Sequence, residues 1–341
     1  MKRLRHVALA VSLGALALTG CSTGSTDDDA AGTTTTKAEA DAFPVTIKTA
    51  FGETTIDQAP TRVATLGWSD QDQAVALGVV PVGATELTWG GNANGSSDWF
   101  DAAVKKMGAE APVRYDDSDG APIDEIAKLR PDVILATNSG ITRQEYTKLS
   151  KIAPVVAYPE APWVTPWQTS LETVGKALGR SEQAEEVEEK TEKEIDATRA
   201  RYSDLAGKSM IFGYLTTTDL SQIGIYAPQD PRVSFMHDLG LEDAPAVASA
   251  IKPGQFYGSV SAEKAADLDS DVFLTWSEKP DDMKTFARDR LIGKVPAIAD
   301  GHAYAEGQKP IALAVTNPTP LSIPVIIKDF VPEVAKAVAG S

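Results

Sequence analysis

From residue 43 onward the chain alternates short apolar runs with amphipathic stretches. Val45 and Ile47, then Thr54 to Ile56, flank Phe51-Gly52-Glu53 and predict a small β-hairpin. Arg62–Leu66, Val80–Ala84, Val133–Thr137 and Pro154–Tyr158 read as strands. Asp70–Leu77, Ile123–Leu129 and Thr142–Ser150 read as helices between them, the second stopped by Pro131. Continuous β-branched runs separated by helices are what a parallel sheet covered on both faces requires. The alternation resumes later with strands at Met210–Leu215, Ile223–Ala227, Val272–Trp276 and Ala303–Ala305. Helices are expected there at Arg232–Leu239, Ser261–Leu268 and about Ile323–Val338.

The stretch between these two halves is different. Ser181 to Arg201 contains no Gly or Pro and is dominated by Glu, Lys and Ala, with Val187 and Ile195 among its few apolar residues. Its Glu-to-Lys and Glu-to-Arg spacings of three and four support a stiff, exposed helix, with Ser181 and Glu185 expected to cap its start. At 1.5 Å per residue it makes a rod of roughly 30 Å. The halves on either side also share a phrase. Ile123 to Leu135 and Val260 to Leu274 each open a short helix with an acidic residue and pass through an aspartate (Asp132, Asp271) into a buried strand. Repetition at this level implies two α/β lobes of similar build, with largely parallel sheets flanked by helices, and the stiff helix falls between them.

The N-terminus has a separate purpose. Lys2, Arg3 and Arg5 precede an apolar run, Val7 to Leu18, that is too short for a permanent membrane span of about 20 residues. The run ends in Leu18-Thr19-Gly20-Cys21, which resembles the bacterial lipobox, so residues 1–20 are expected to be a cleaved leader and Cys21 a lipidated anchor. Cys21 is the only cysteine, so no intramolecular disulfide can form. Residues 21–42 are rich in Thr, Ser, Ala, Gly and Asp and predict a flexible tether. Loss of Lys2, Arg3 and Arg5 would make the formal net charge of −16 three units more negative. Such a surface lacks the basic footprint that nucleic acid needs.

In open α/β sheets, ligands gather beyond the carboxyl ends of the strands. That rule nominates Trp68 and Ser69 after the first strand, Trp89 after the second, Asn138 after the third and Trp163 near the lobe junction. In the second half it nominates Tyr214, Tyr226, Tyr257 and Trp276. Four of the six tryptophans fall at or near such ends, as the walls of a site for a large, partly apolar ligand would. No serine stands in a Gly-x-Ser-x-Gly context and no glycine pattern makes a phosphate loop, so nothing points to an enzyme. Beyond the leader only His237 and His302 could offer imidazole, too few for a dedicated zinc or manganese site.

The run Phe43-Pro44-Val45-Thr46-Ile47, followed by Phe51-Gly52-Glu53-Thr54-Thr55-Ile56 and Ala59-Pro60-Thr61-Arg62-Val63-Ala64-Thr65-Leu66-Gly67, resembles the opening of iron-siderophore binding proteins of ABC transporters. These are the enterobactin- and ferric-dicitrate-type members of the helical-backbone class of solute-binding proteins. Asp124 to Asp132, Ile152 to Tyr158 and Ser261 to Asp267 continue the likeness, which covers about residues 43–338. The resemblance implies lobes at 43–180 and 204–341, an inter-lobe helix at 181–203, and a ligand cleft between the lobes. It implies a monomeric, lipid-anchored extracytoplasmic protein that delivers a ferric siderophore to the permease subunits of an ABC importer. The siderophore itself holds the iron, with no permanent cofactor. A siderophore of net negative charge asks for a cation in the cleft. Arg232 is the first choice and Lys309 the second, with Arg114 and Arg143 unranked. The family docks on its permease through an acidic residue of each lobe, which here implicates Asp124 or Glu125 together with Glu263. Haem is the alternative ligand, with His237 or Tyr226 as its axial partner.

Overall fold

A computed structural model describes residues 37–252, 254–279 and 281–340; the leader, Cys21 and most of the tether lie outside the described residues. The predicted hairpin forms from β1 (Val45–Thr49) and β2 (Gly52–Ile56), paired antiparallel. β3 (Val63–Thr65), β4 (Gly83–Thr85), β5 (Val113–Tyr115), β6 (Val133–Ala136) and β7 (Val155–Ala157) then build an all-parallel sheet in the order β5-β4-β3-β6-β7. β3, β4, β6 and β7 are buried along their whole length, which explains why they read as continuous apolar runs rather than alternating ones.

The second sheet is mixed. β8 (Ser209–Thr216) and β9 (Asp219–Tyr226) are an antiparallel pair, and β11 (Tyr257–Ser261) adds antiparallel to β9. On the other side β12 (Val272–Trp276) and β13 (Ala303–Glu306) run parallel to β8, and the short β10 (Glu242–Asp243) also pairs with β8.

The repeated phrase has a structural cause. The Asp132 carboxylate accepts from the Thr61 and Arg62 backbone N–H groups and from the Thr61 hydroxyl, each at 2.8 Å, just before β3. The Asp271 carboxylate accepts from the Ser209 N–H and hydroxyl at 2.8 Å, at the start of β8. Each aspartate therefore pins the strand that its own strand will pair with, Val63 opposite Val133 and Met210 opposite Val272.

The helix Ser181–Arg201 carries the chain between the sheets. Ala184, Thr191, Ile195 and Thr198 bury one stripe of it, and Gly175 of the preceding helix Trp167–Leu178 leaves room for the Ala184 methyl. Its start differs from expectation. Ser181 makes no cap; Arg180 occupies the N-cap and turns its guanidinium inward to the Leu77 carbonyl, while the Glu39 carboxylate accepts from the Glu182 N–H at 2.8 Å. A carboxylate from a distant segment thus supplies what a local serine was expected to supply.

The two sheets share more than this rod. One continuous apolar cluster runs through Val63, Leu135, Trp167, Phe212, Ile323 and Phe330. The C-terminal segment also leans on the first half: the Thr319 hydroxyl donates to Asp72 at 2.9 Å and the Asn138 amide donates to Asn317 at 3.3 Å. The expected terminal helix is present but interrupted, with a wide-turned stretch at Ile326–Phe330 between Ile323–Val325 and Val331–Ala339. Ser261–Leu268, expected as an α-helix, is a tighter 3₁₀ helix over Ala262–Asp267.

Candidate ligand cleft

The nominated aromatics of the second half converge, though by a different rule from the one that nominated them. β9 runs antiparallel to β8, so Tyr226 does not leave a parallel strand at its carboxyl end. The register aligns Tyr226 with Tyr257 and places Tyr214 opposite Gly224. With a side-chain period of two, Tyr214, Tyr226, Tyr257 and the core residue Phe212 then share one face of the sheet. Phe212 lies 5.1 Å from Trp276 and 6.0 Å from Tyr226, and Tyr226 lies 5.6 Å from Tyr257 between ring centroids. Gly224 makes this possible: a Cβ there would stand 2.6 Å from Cε2 of Tyr257. Tyr214, at the outer end of the row, is 44% exposed.

Arg232 closes the row. Pro231 sets the first turn of the helix Pro231–Asp238 and Asp230 caps it, its carboxylate accepting from the Arg232 N–H at 3.1 Å. The same oxygen receives Nε of Arg232 at 2.6 Å, and the guanidinium carbon sits 3.7 Å from the centroid of Tyr226 and 6.0 Å from that of Trp276. Burial opposes the charged guanidinium, but the Asp230 carboxylate and the Tyr226 phenol hold its pKa above the ordinary value. With Nε engaged, the terminal nitrogens remain a planar donor edge beside the aromatic row. Lys309 is half-exposed and pairs with Glu278 at 2.9 Å.

In the first half, Trp68 and Trp163 line one cavity of about 390 Å³ beyond β3, β5 and β6, with Asp117, Ser139 and Glu145. Trp163 has φ of 62°, a left-handed backbone that bulky residues rarely adopt. Its indole lies against Gly140, where a Cβ would come 2.6 Å from Nε1. Asp117 accepts from the Thr85 hydroxyl at 2.9 Å and from the Gly67 N–H, and burial pushes its pKa up despite them. Ser69 and Asn138 are buried at the head of the helix Asp70–Ala76 and after β6. Trp89 packs on the shared apolar core beside Gly90, where a Cβ would stand 2.7 Å from the Lys309 carbonyl.

Other nominated residues lie elsewhere. Asp124 and Glu125 are exposed in the first turn of the helix Ile123–Lys128, and Glu263 is exposed in the first turn of its 3₁₀ helix. Arg114 is bound into the first half by Ser96, Gln71 and the Thr85 carbonyl, and Arg143 lies over Phe51. His237 pairs with Asp243 at 3.0 Å and His302 with the Ala337 carbonyl. Among the described residues no three His, Cys, Asp or Glu side chains gather to hold a metal ion. A second cavity, of about 880 Å³ and lined in part by Trp99, Tyr304, Gln308 and Lys328, contains none of the nominated aromatics. Gly140, Gly224 and Asp117 were not nominated from sequence; a glycine that yields to an aromatic ring has no local signature.

A parallel and a mixed sheet linked by one long helix match the architecture of solute-binding proteins, not of enzymes. The chain belongs to the periplasmic binding protein family, whose model matches residues 63–309. Among solved structures it is similar to PiaA of Streptococcus pneumoniae in complex with ferrichrome, at 34% identity and a TM-score of 0.83, covering 87% of this chain and 99% of that one. A periplasmic solute binding protein from Mycobacterium smegmatis is 27% identical with a TM-score of 0.71, over 86% of this chain and 98% of that one. SirA of Staphylococcus aureus, complexed with staphyloferrin B, shares the fold at 22% identity and a TM-score of 0.67, over 85% and 98%. A search among curated proteins returns no match.

Proposed function

We propose that this protein captures a ferric siderophore between its lobes and hands it to an ABC importer as the extracytoplasmic component of iron uptake. The observation that carries the reading is the Arg232 guanidinium, held by Asp230 and stacked on Tyr226 within a row of aromatic rings. Its remaining N–H donors suit the iron-coordinating oxygens of a chelate, and the rings suit the organic shell around them. PiaA, the relative bound to ferrichrome, is 34% identical over nearly its whole length, which supports the same class of cargo.

In this reading the lobes are residues 43–180 and 204–341, with 181–203 as the helix between them. The shared core and the Asp72–Thr319 contact keep closure to a modest tilt. Asp124 or Glu125 and Glu263 present the loaded form to the permease, and Cys21 anchors a monomer to the membrane. Titration of intrinsic tryptophan fluorescence with ferric siderophores tests the proposal, with haem as the competing ligand. Saturable quenching by a ferric siderophore without turnover supports it. Binding of haem alone, with a Soret band, would overturn it.

A further inference from the structure

Whether the cleft prefers an anionic or a neutral chelate is decided by how many of its positive charges are uncompensated. Both basic side chains nominated for the cleft already have a carboxylate partner. Nε of Arg232 is 2.6 Å from Asp230, whose side chain is 1% exposed, and Nζ of Lys309 is 2.9 Å from Glu278. The cavity of the first half adds Asp117 and Glu145, and among the described residues no lysine or arginine lines it. Arg114, half-buried in that half, spends its donors on Gln71, Ser96 and the Thr85 carbonyl, and the buried Arg180 turns to the Leu77 carbonyl.

We propose that the cleft selects ferric siderophores without net charge, the trihydroxamate class, over tris-catecholate and carboxylate chelates that carry net negative charge. The inference rests on the ferric-siderophore reading and narrows it. A highly charged anion loses its hydration on entering and needs uncompensated cations in return. Here it meets two cations that are already neutralised and two further carboxylates, an arrangement that excludes anions by repulsion. A neutral trihydroxamate has no such requirement. Its iron-bound oxygens carry partial negative charge, which the terminal N–H groups of Arg232 satisfy by hydrogen bonding, and its largely apolar periphery rests against Trp68, Trp163 and the tyrosine row.

The test uses the protein lacking only its leader, titrated at low salt with ferrichrome, ferric enterobactin and ferric citrate while tryptophan fluorescence is followed. Ferrichrome is expected to bind roughly 100-fold more tightly than either anion. Glu278→Gln, at an exposed position that does not threaten folding, is expected to improve ferric citrate binding roughly 3-fold by freeing Lys309. Equal or tighter binding of an anionic chelate overturns the selectivity and leaves the siderophore reading standing. No change in ferric citrate affinity in E278Q also overturns it. Failure of all three complexes to bind overturns the siderophore reading itself.

Discussion

The ring of Tyr257 lies across the bare backbone of Gly224 on the neighbouring strand, close enough that one added methyl group would displace it. Tyr257 in turn meets Tyr226, over which Arg232 is stacked, so a glycine with no polar group helps to set the position of the cation proposed to meet the ligand.

Gly224→Ala is therefore expected to push Tyr257 out of its rotamer, at a cost of about 1–3 kcal/mol in stability, and to weaken siderophore binding roughly tenfold, the equivalent of 1.4 kcal/mol. Thermal unfolding and fluorescence titration measure the two effects. Unchanged affinity would remove Tyr257 from the site.

Removing Arg232 should cost more in stability than its place in the cleft alone would imply. Asp230 is almost wholly buried, and Arg232→Ala leaves its carboxylate without a cation, a loss of about 3–5 kcal/mol. The double variant Asp230→Asn with Arg232→Met keeps the helix cap and the packing on Tyr226, and should regain most of that stability while ligand binding stays lost. Denaturant unfolding of the three proteins checks this; a double variant no more stable than R232A would contradict it.

Acid pH should stabilise the junction between the lobes. Burial pushes Asp72 up to about 7, although it accepts from Trp99 Nε1 at 2.7 Å and from Thr319. Burial likewise pushes Asp70 up to about 6, against hydrogen bonds from Thr137 and Asn138. Unfolded aspartates titrate near about 3.9. Between about pH 4 and pH 7 the folded protein therefore binds more protons than the unfolded chain, and stability falls as pH rises through that window. One group contributes up to about 1.4 kcal/mol per pH unit. Asp72→Asn should flatten the upper part of the slope, as unfolding midpoints measured from pH 4.5 to 8 will show.

Glu263 is exposed and belongs to neither half of the cleft. Glu263→Lys is expected to leave siderophore affinity unchanged and to reduce import by more than roughly tenfold in vesicles carrying the importer, the equivalent of over 1.4 kcal/mol of docking energy. Loss of binding in this variant would show that the residue has been assigned the wrong task.

Four strands of the first sheet were legible because burial on both faces leaves an uninterrupted apolar run, as in Val133–Ala136; the edge strand β5, with Val113 exposed, was not. The rod at 181–201 was legible because its composition forbids a strand or a turn. The cap of that rod was not, since Glu39 reaches it from more than 140 residues away. The antiparallel course of β9 was also hidden. Ile223 to Tyr226 is apolar enough to pass for a parallel strand, and only the pairing of Tyr214 with Gly224 shows otherwise.

What the sequence determined by itself is the repeated unit of helix, aspartate and buried strand, because hydrophobic periodicity and a carboxylate before a strand are local features that survive in any context. What only the tertiary structure decided is the cleft's charge and shape. From sequence Arg232 had Asp230 or Asp238 as a possible partner and Lys309 had none; folding set Asp230 against the first and Glu278 against the second. Tyr257 and Trp163 read as isolated aromatics until Gly224 and Gly140 were brought beneath them. Apart from the Asp230–Arg232 pair, which is local, those relations depend on distances between residues remote in the chain or on facing strands, and no local pattern encodes them.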